Sequence, residues 1–166
     1  MEEHTKKTVE YVAFAQARKY FAVDASGSTG GAPLSAERVF AETIYKAGKG
    51  PSYTDSAITR WGTKCDNPTK EWNKIRWRSD RGGTYPSEIL SNPASLDAIR
   101  TSDIWFLLTD GEVWEDQVHD LARLGQQKGI FSCPTVFLIT SVLSASPSTV
   151  NVSVVRFDHV RVGNPN

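Results

Sequence analysis

The chain has 166 residues, 39% of them hydrophobic, and Lys plus Arg balances Asp plus Glu at 19 each. That content suits one compact domain with its own core and leaves too little chain for two ordinary ones. The balanced charge gives no global field for nucleic acid or an acidic membrane surface, so any partner must be chosen by local geometry.

Residues 1–18 read as an N-terminal extension with helical spacing, since Val9, Val12, Ala13 and Ala17 fall on one side between Glu2 and Ala17. Charges interrupt every apolar stretch there, so no signal-peptide core is visible. The longest apolar runs, such as "PTVFLIT", fall far short of the roughly 18 residues of a spanning helix. The expectations are no membrane contact and an intracellular, cytoplasmic setting, with a secreted one if a leader has been removed. Cys65 and Cys133 are expected to be free thiols, because two cysteines do not make a disulfide scaffold.

Residues 19–160 read as the folded domain. Tyr20 to Val23 is an unalternating apolar run, the pattern of a strand buried on both faces. After a glycine-rich turn, Pro33 to Lys46 places Val39, Phe40, Ile44 and Ala47 on one side at helical spacing, with Ser35 as N-cap and Gly48 past the end. Ser56 to Thr63 and Trp72 to Ser79 look extended and are separated by an Asp-Asn-Pro turn, which predicts an antiparallel hairpin. Lys74, Arg76 and Arg78 alternate with Ile75 and Trp77, as in an edge strand whose charges discourage intermolecular pairing; a nucleic-acid stripe is the competing reading. Short helical pieces follow, punctuated by Pro86 and Pro93.

Ile104 to Leu108 is a second apolar run ending in an acid and a glycine. Beyond Gly111, Val113, Val118, Leu121 and Leu124 recur at roughly helical spacing, with Glu112, Glu115 and Asp116 near the first turn, where the helix dipole favours them. Ile130 to Thr140 and Val150 to Phe157 complete the strands. The segment "SVLSASPST" between them is short for a parallel crossover, so either it holds one helical turn or the last strand runs antiparallel. Residues 161–166 read as a tail or a cut linker, which allows for a larger multidomain chain. The alternation of strand and helix predicts an α/β fold of three layers, doubly wound, with a mostly parallel sheet and one antiparallel edge strand.

Ligands of such sheets sit outside the carboxyl ends of the strands. Three stretches bring oxygen side chains there: Asp24, Ser26 and Ser28 after the first strand, Thr84 in "RGGTYP", and Thr109 with Asp110 after Ile104 to Leu108. If those two strands are neighbours, the two acids repel unless a cation lies between them. Carboxylate and hydroxyl oxygens without His or Cys suit Mg²⁺ or Mn²⁺ rather than zinc.

"DASGS", the Thr after "GG" and the "TDG" after a buried strand together resemble the metal-ion-dependent adhesion site of von Willebrand factor A domains, in the same order and at similar spacing. The resemblance covers about residues 19 to 157. It implies a Rossmann-like fold in which Ser26 and Ser28 bind Mg²⁺ or Mn²⁺ directly and Asp24 and Asp110 act largely through water. Thr84 would enter or leave the inner shell with ligand state. It also implies that one coordination position takes an Asp or Glu of a partner protein, making the domain an adhesion or scaffold module rather than an enzyme. Tyr85, Glu112 and Trp114 lie just beyond these loops and are candidates for framing that partner, with core packing the alternative for Trp114. The family's final helix has no counterpart in "FDHVRVGNPN". The enzyme reading is a serine hydrolase using Ser28, Asp110 and His159, which follow the chain order of α/β-hydrolase triads, although the first glycine of the nucleophile elbow is missing.

Overall fold

The structure, a computed structural model, describes residues 12–130 and 132–140, together with the backbone of 151–153. Its sheet comprises β1 (Lys19–Asp24), β2 (Ala57–Trp61), β3 (Ile104–Thr109), β4 (Thr135–Ile139) and β5 (Asn151–Ser153), in the order β2-β1-β3-β4-β5. The first four strands are parallel and β5 pairs antiparallel with β4. The helices are α1 (Ala32–Lys46), α2 (Pro51–Thr54), α3 (Ser87–Ser91), α4 (Pro93–Thr101) and α5 (Glu115–Lys128).

Strand geometry turns the apolar runs into three layers. Successive side chains point to opposite faces, so Tyr20, Ala22, Trp105 and Leu107 enter one cluster while Phe21, Val23, Phe106 and Leu108 enter the other. The first cluster is closed by Ile89, Leu90, Leu96, Ile99 and Leu121 from α3, α4 and α5. The second is closed by Leu34 and Ala41 of α1, with Phe40 and Ile44 packed alongside. Phe21 and Phe106 are register partners and stack with ring centroids 4.7 Å apart. Burying each such side chain contributes roughly 1.5–3 kcal/mol. Trp61 and Trp105 are fully buried, and Trp72 and Trp77 pack against the α1-side cluster.

Several local expectations are corrected. Ser56 to Thr63 and Trp72 to Ser79 do not form a hairpin: β2 pairs parallel with β1, and the second run is a short 3-10 turn at Trp72–Lys74 followed by irregular chain. Among the described residues one isolated antiparallel bridge joins Ile58 to Thr69, which lies in the segment expected to be the turn. The apolar half of that alternation instead packs Trp72, Ile75 and Trp77 onto the α1-side cluster, with Trp72 stacked on Tyr45 at 4.1 Å. The antiparallel edge is therefore β5.

On α1, Val39 is exposed and the packed face runs through Leu34, Glu37 and Ala41; Gly31 is the N-cap, while the Ser35 hydroxyl donates back to the Gly31 carbonyl. At the chain's start residues 12–16 are helical, but Phe14 and Ala15 face inward and Val12 and Ala13 outward. Val9 lies outside the described residues, as do residues 154–166 with His159. Among the described residues no helix is long and apolar enough to cross a membrane. Cys65 and Cys133 are free.

A candidate cation site at the switch point of the sheet

The strand order reverses direction between β1 and β3, whose neighbours β2 and β4 lie on opposite sides. In an open α/β sheet the crevice for a ligand forms at such a point. Val23 pairs with Leu108, so Asp24 and Thr109 are the next residues at the carboxyl edge, and the Thr109 hydroxyl donates to Asp24 Oδ2 at 2.7 Å. Asp24 Oδ1 accepts the Ser26 amide at 2.8 Å, folding "DAS" into a tight turn. The Ser26 and Ser28 hydroxyl oxygens are 3.1 Å apart, with Ser26 buried and Ser28 exposed. Asp110 is buried beside this cluster, and its Oδ1 accepts the Glu112 amide at 2.9 Å.

The loop carrying Thr84 meets the first loop through backbone bonds. The Gly27 amide donates to the Gly82 carbonyl at 2.8 Å and the Arg81 amide to the Ala25 carbonyl at 2.8 Å. Gly82 has φ +75° and Gly111 φ +87°, a region that only glycine occupies without strain, so these two residues let the loops turn toward one point. Ser28, Thr84, Glu112, Val113, Trp114 and Glu115 line the resulting cleft of about 570 Å³. A second hollow of about 400 Å³ is lined by Thr84, Tyr85, Trp114, Asp116 and Gln117. Trp114 is 78% exposed and Tyr85 42% exposed, so core packing is not what holds Trp114.

Sequence reasoning passed over Glu37. It is 0% exposed on α1, and its Oε2 accepts the Asp24 amide at 3.2 Å. The signal was present, since an acid stands where the Leu34–Ala41 spacing calls for an apolar residue. Burial pushes the Glu37 carboxyl well above its ordinary range, and the negative charges of Asp24 and Asp110 push it further. Burial likewise raises Asp24; its bonds from Ser26 and Thr109 oppose that shift, and Asp110 adds to it.

Three buried carboxyls thus share one region. Among the described residues no ion pair reaches any of them. Asp110 Oδ2 and Glu37 Oε1 are buried with no close hydrogen-bond partner, the Thr140 hydroxyl being the group that faces the Glu37 carboxyl. Buried carboxylates without a counter-charge are costly, and orphaned oxygens at this place fit a hard cation. Among the described residues no three His, Cys, Asp or Glu side chains gather as metal ligands. The candidate donor set is therefore hydroxyl-rich: Ser26, Ser28 and Thr84, with Asp24 and Asp110 behind them. His119 is exposed on α5, with its Nε2 3.7 Å from Glu115.

The chain matches no protein-family model and no curated protein sequence.

Proposed function

We propose that the domain binds Mg²⁺ or Mn²⁺ at Asp24, Ser26, Ser28, Thr84 and Asp110 and holds a partner protein through that ion. The observation that carries the reading is the pair of buried acids at the switch point, one with an orphaned oxygen, beside exposed and half-buried hydroxyls. The resemblance of "DASGS", the "GGT" loop and "TDG" to the adhesion site of von Willebrand factor A domains supports it independently.

A bound Mg²⁺ would supply a Lewis-acidic position for one Asp or Glu carboxylate of the partner. Ser28 and Thr84 present hydroxyl oxygens to the cleft. Asp24 and Asp110 supply the negative charge that retains a cation, and Thr109 fixes the Asp24 carboxylate. Tyr85 and Trp114 offer exposed aromatic surface to the partner, and Glu112 closes the cleft wall. The Ser26 and Ser28 hydroxyls are hydrogen-bonded to each other, which holds the two oxygens side by side for one ion. An intracellular setting accords with the two free thiols.

Isothermal titration with MgCl₂ and MnCl₂ tests the reading. The unsubstituted chain should show saturable one-to-one binding that Asp24→Ala abolishes while the circular dichroism spectrum is retained. Equal affinity in the variant would refute the site. Partner capture should fail in EDTA and return with Mg²⁺; capture indifferent to chelator would refute the adaptor role.

A further inference from the structure

The loop bearing Thr84 is strapped down by charged residues that lie away from the cation site itself. Arg60 is buried near the end of β2, an unusual place for a guanidinium. Its Nη2 donates to Asp66 Oδ2 at 3.0 Å, and its Nη1 donates to Asp80 Oδ1 at 3.0 Å and to the Arg76 carbonyl at 2.8 Å. The same Asp66 Oδ2 accepts Arg81 Nη2 at 2.7 Å. One carboxylate oxygen therefore joins the end of β2 to the residue that opens the Gly82–Gly83–Thr84 turn.

Arg81 is tied two ways besides, and Gly83 once. The Arg81 amide donates to the Ala25 carbonyl, its carbonyl accepts the Thr63 amide at 2.7 Å, and the Thr63 hydroxyl accepts the Gly83 amide at 2.8 Å. The first loop is referenced to the same strand, because Asp24 is in register with Trp61 and the Ala25 amide donates to the Trp61 carbonyl at 2.8 Å. The end of β2 is thus a common datum for the "DASGS" loop and the Thr84 loop. A glycine pair has little stiffness of its own, so the ordering of Thr84 must come from outside the turn.

We infer that Asp66, bridging Arg60 and Arg81, is a positioning residue for the cation site: it sets where the Thr84 hydroxyl stands relative to Ser26 and Ser28. The inference rests on the metal reading above. A donor held in place before binding costs less to order on binding, so loosening the bridge lowers cation affinity without removing a donor.

The experiment is a thermodynamic cycle on the full chain, with Mg²⁺ titrated into the unsubstituted protein, Asp66→Asn, Thr84→Ala and the double variant. Asp66→Asn should weaken Mg²⁺ about tenfold, and in the Thr84→Ala background the same change should have less than about a twofold effect, because coupled residues are non-additive. Glu42→Gln, which breaks the exposed Arg38–Glu42 pair on α1, should leave Mg²⁺ affinity unchanged. Hydrogen exchange gives a readout where binding to Thr84→Ala is too weak to titrate: Asp66→Asn should speed exchange of the Gly27 and Gly83 amides and spare those of α5. Mg²⁺ binding by the unsubstituted chain with undiminished affinity in Asp66→Asn, equal losses in both backgrounds, or unchanged exchange at Gly27 and Gly83 would overturn the positioning role alone. Failure of the unsubstituted chain to bind Mg²⁺ would overturn the metal reading, and this inference with it.

Discussion

Glu37 offers the sharpest test of the electrostatics under the switch point. Glu37→Gln keeps the shape and leaves a carbonyl oxygen to accept the Asp24 amide. It replaces the orphaned Oε1 with an amide donor beside two acids. An unsatisfied buried polar group costs about 1–3 kcal/mol, and more when charged, so the variant should gain at least that much in the metal-free state at neutral pH. For a domain of this size each kcal/mol moves Tm by about 2–4 °C. The sign of the pH dependence follows from linkage. Glu37 is raised in the fold, so stability from its protonation is fully present below the unfolded carboxyl range and is lost as pH rises through the folded pKa. Thermal melts in EDTA should therefore nearly coincide for the two proteins near pH 4 and separate toward neutrality, with Glu37→Gln higher. Parallel curves, or a variant less stable at neutral pH, would refute the claim that this carboxyl is held at a cost.

Lys19→Met should destabilise by about 1–3 kcal/mol in urea melts, since the Lys19 Nζ donates to the Phe14 carbonyl at 2.6 Å and the Ala17 carbonyl at 2.9 Å, and the Phe14 carbonyl would keep only the Ala17 amide at 3.3 Å. Gly111→Ala should cost roughly 1–3 kcal/mol, because φ is +87° and the new Cβ would stand 2.8 Å from Ile139 Cγ2; chemical denaturation measures it, and Ile139→Ala should recover only the steric part. Trp114→Ala should leave stability within about 0.5 kcal/mol while abolishing partner capture, as expected of an exposed residue used in contact. An unchanged pull-down with Trp114→Ala would remove that side chain from the interface.

Much of the fold was legible because the interior strands β1 and β3 are apolar apart from their ends. Tyr20 to Val23 and Ile104 to Leu108 announce burial on both faces, and an acid after each marks the edge where a ligand crevice opens. What misled was Trp72 to Ser79, whose alternation of charged and apolar residues is that of a half-buried strand. An extended segment laid across a helical layer needs the same alternation, and only the tertiary partners, Phe21 and Tyr45 against Trp72, distinguish the two. Val39 misled for a related reason: the helix turns Glu37 inward toward the Asp24 amide, which rotates Val39 out to solvent. Of the candidate site, the oxygen side chains and their order were visible in the sequence, and the structure brings Asp24, Ser26, Ser28 and Thr109 together at one strand edge. Arg60 and Asp66 were not legible, since their roles depend on contacts made only in the fold, 15 residues apart for Asp66 and Arg81; Glu37 was legible as an acid on the apolar face of its helix, but not its contact with the Asp24 amide 13 residues away.

The interior position of β1, between β2 and β3, would have a mechanical consequence under the proposed adaptor role, with a partner held at one end of that strand. Asp24 and Lys19 terminate the same strand, and β1 is paired along its length with β2 on one side and β3 on the other. Tension applied at the cleft and resisted at Lys19 runs along the strand axis, so both ladders are loaded in shear and their bonds must fail together rather than unzip singly. A peeling geometry would yield one bond at a time; this one makes the most deeply buried strand the tension-bearing member.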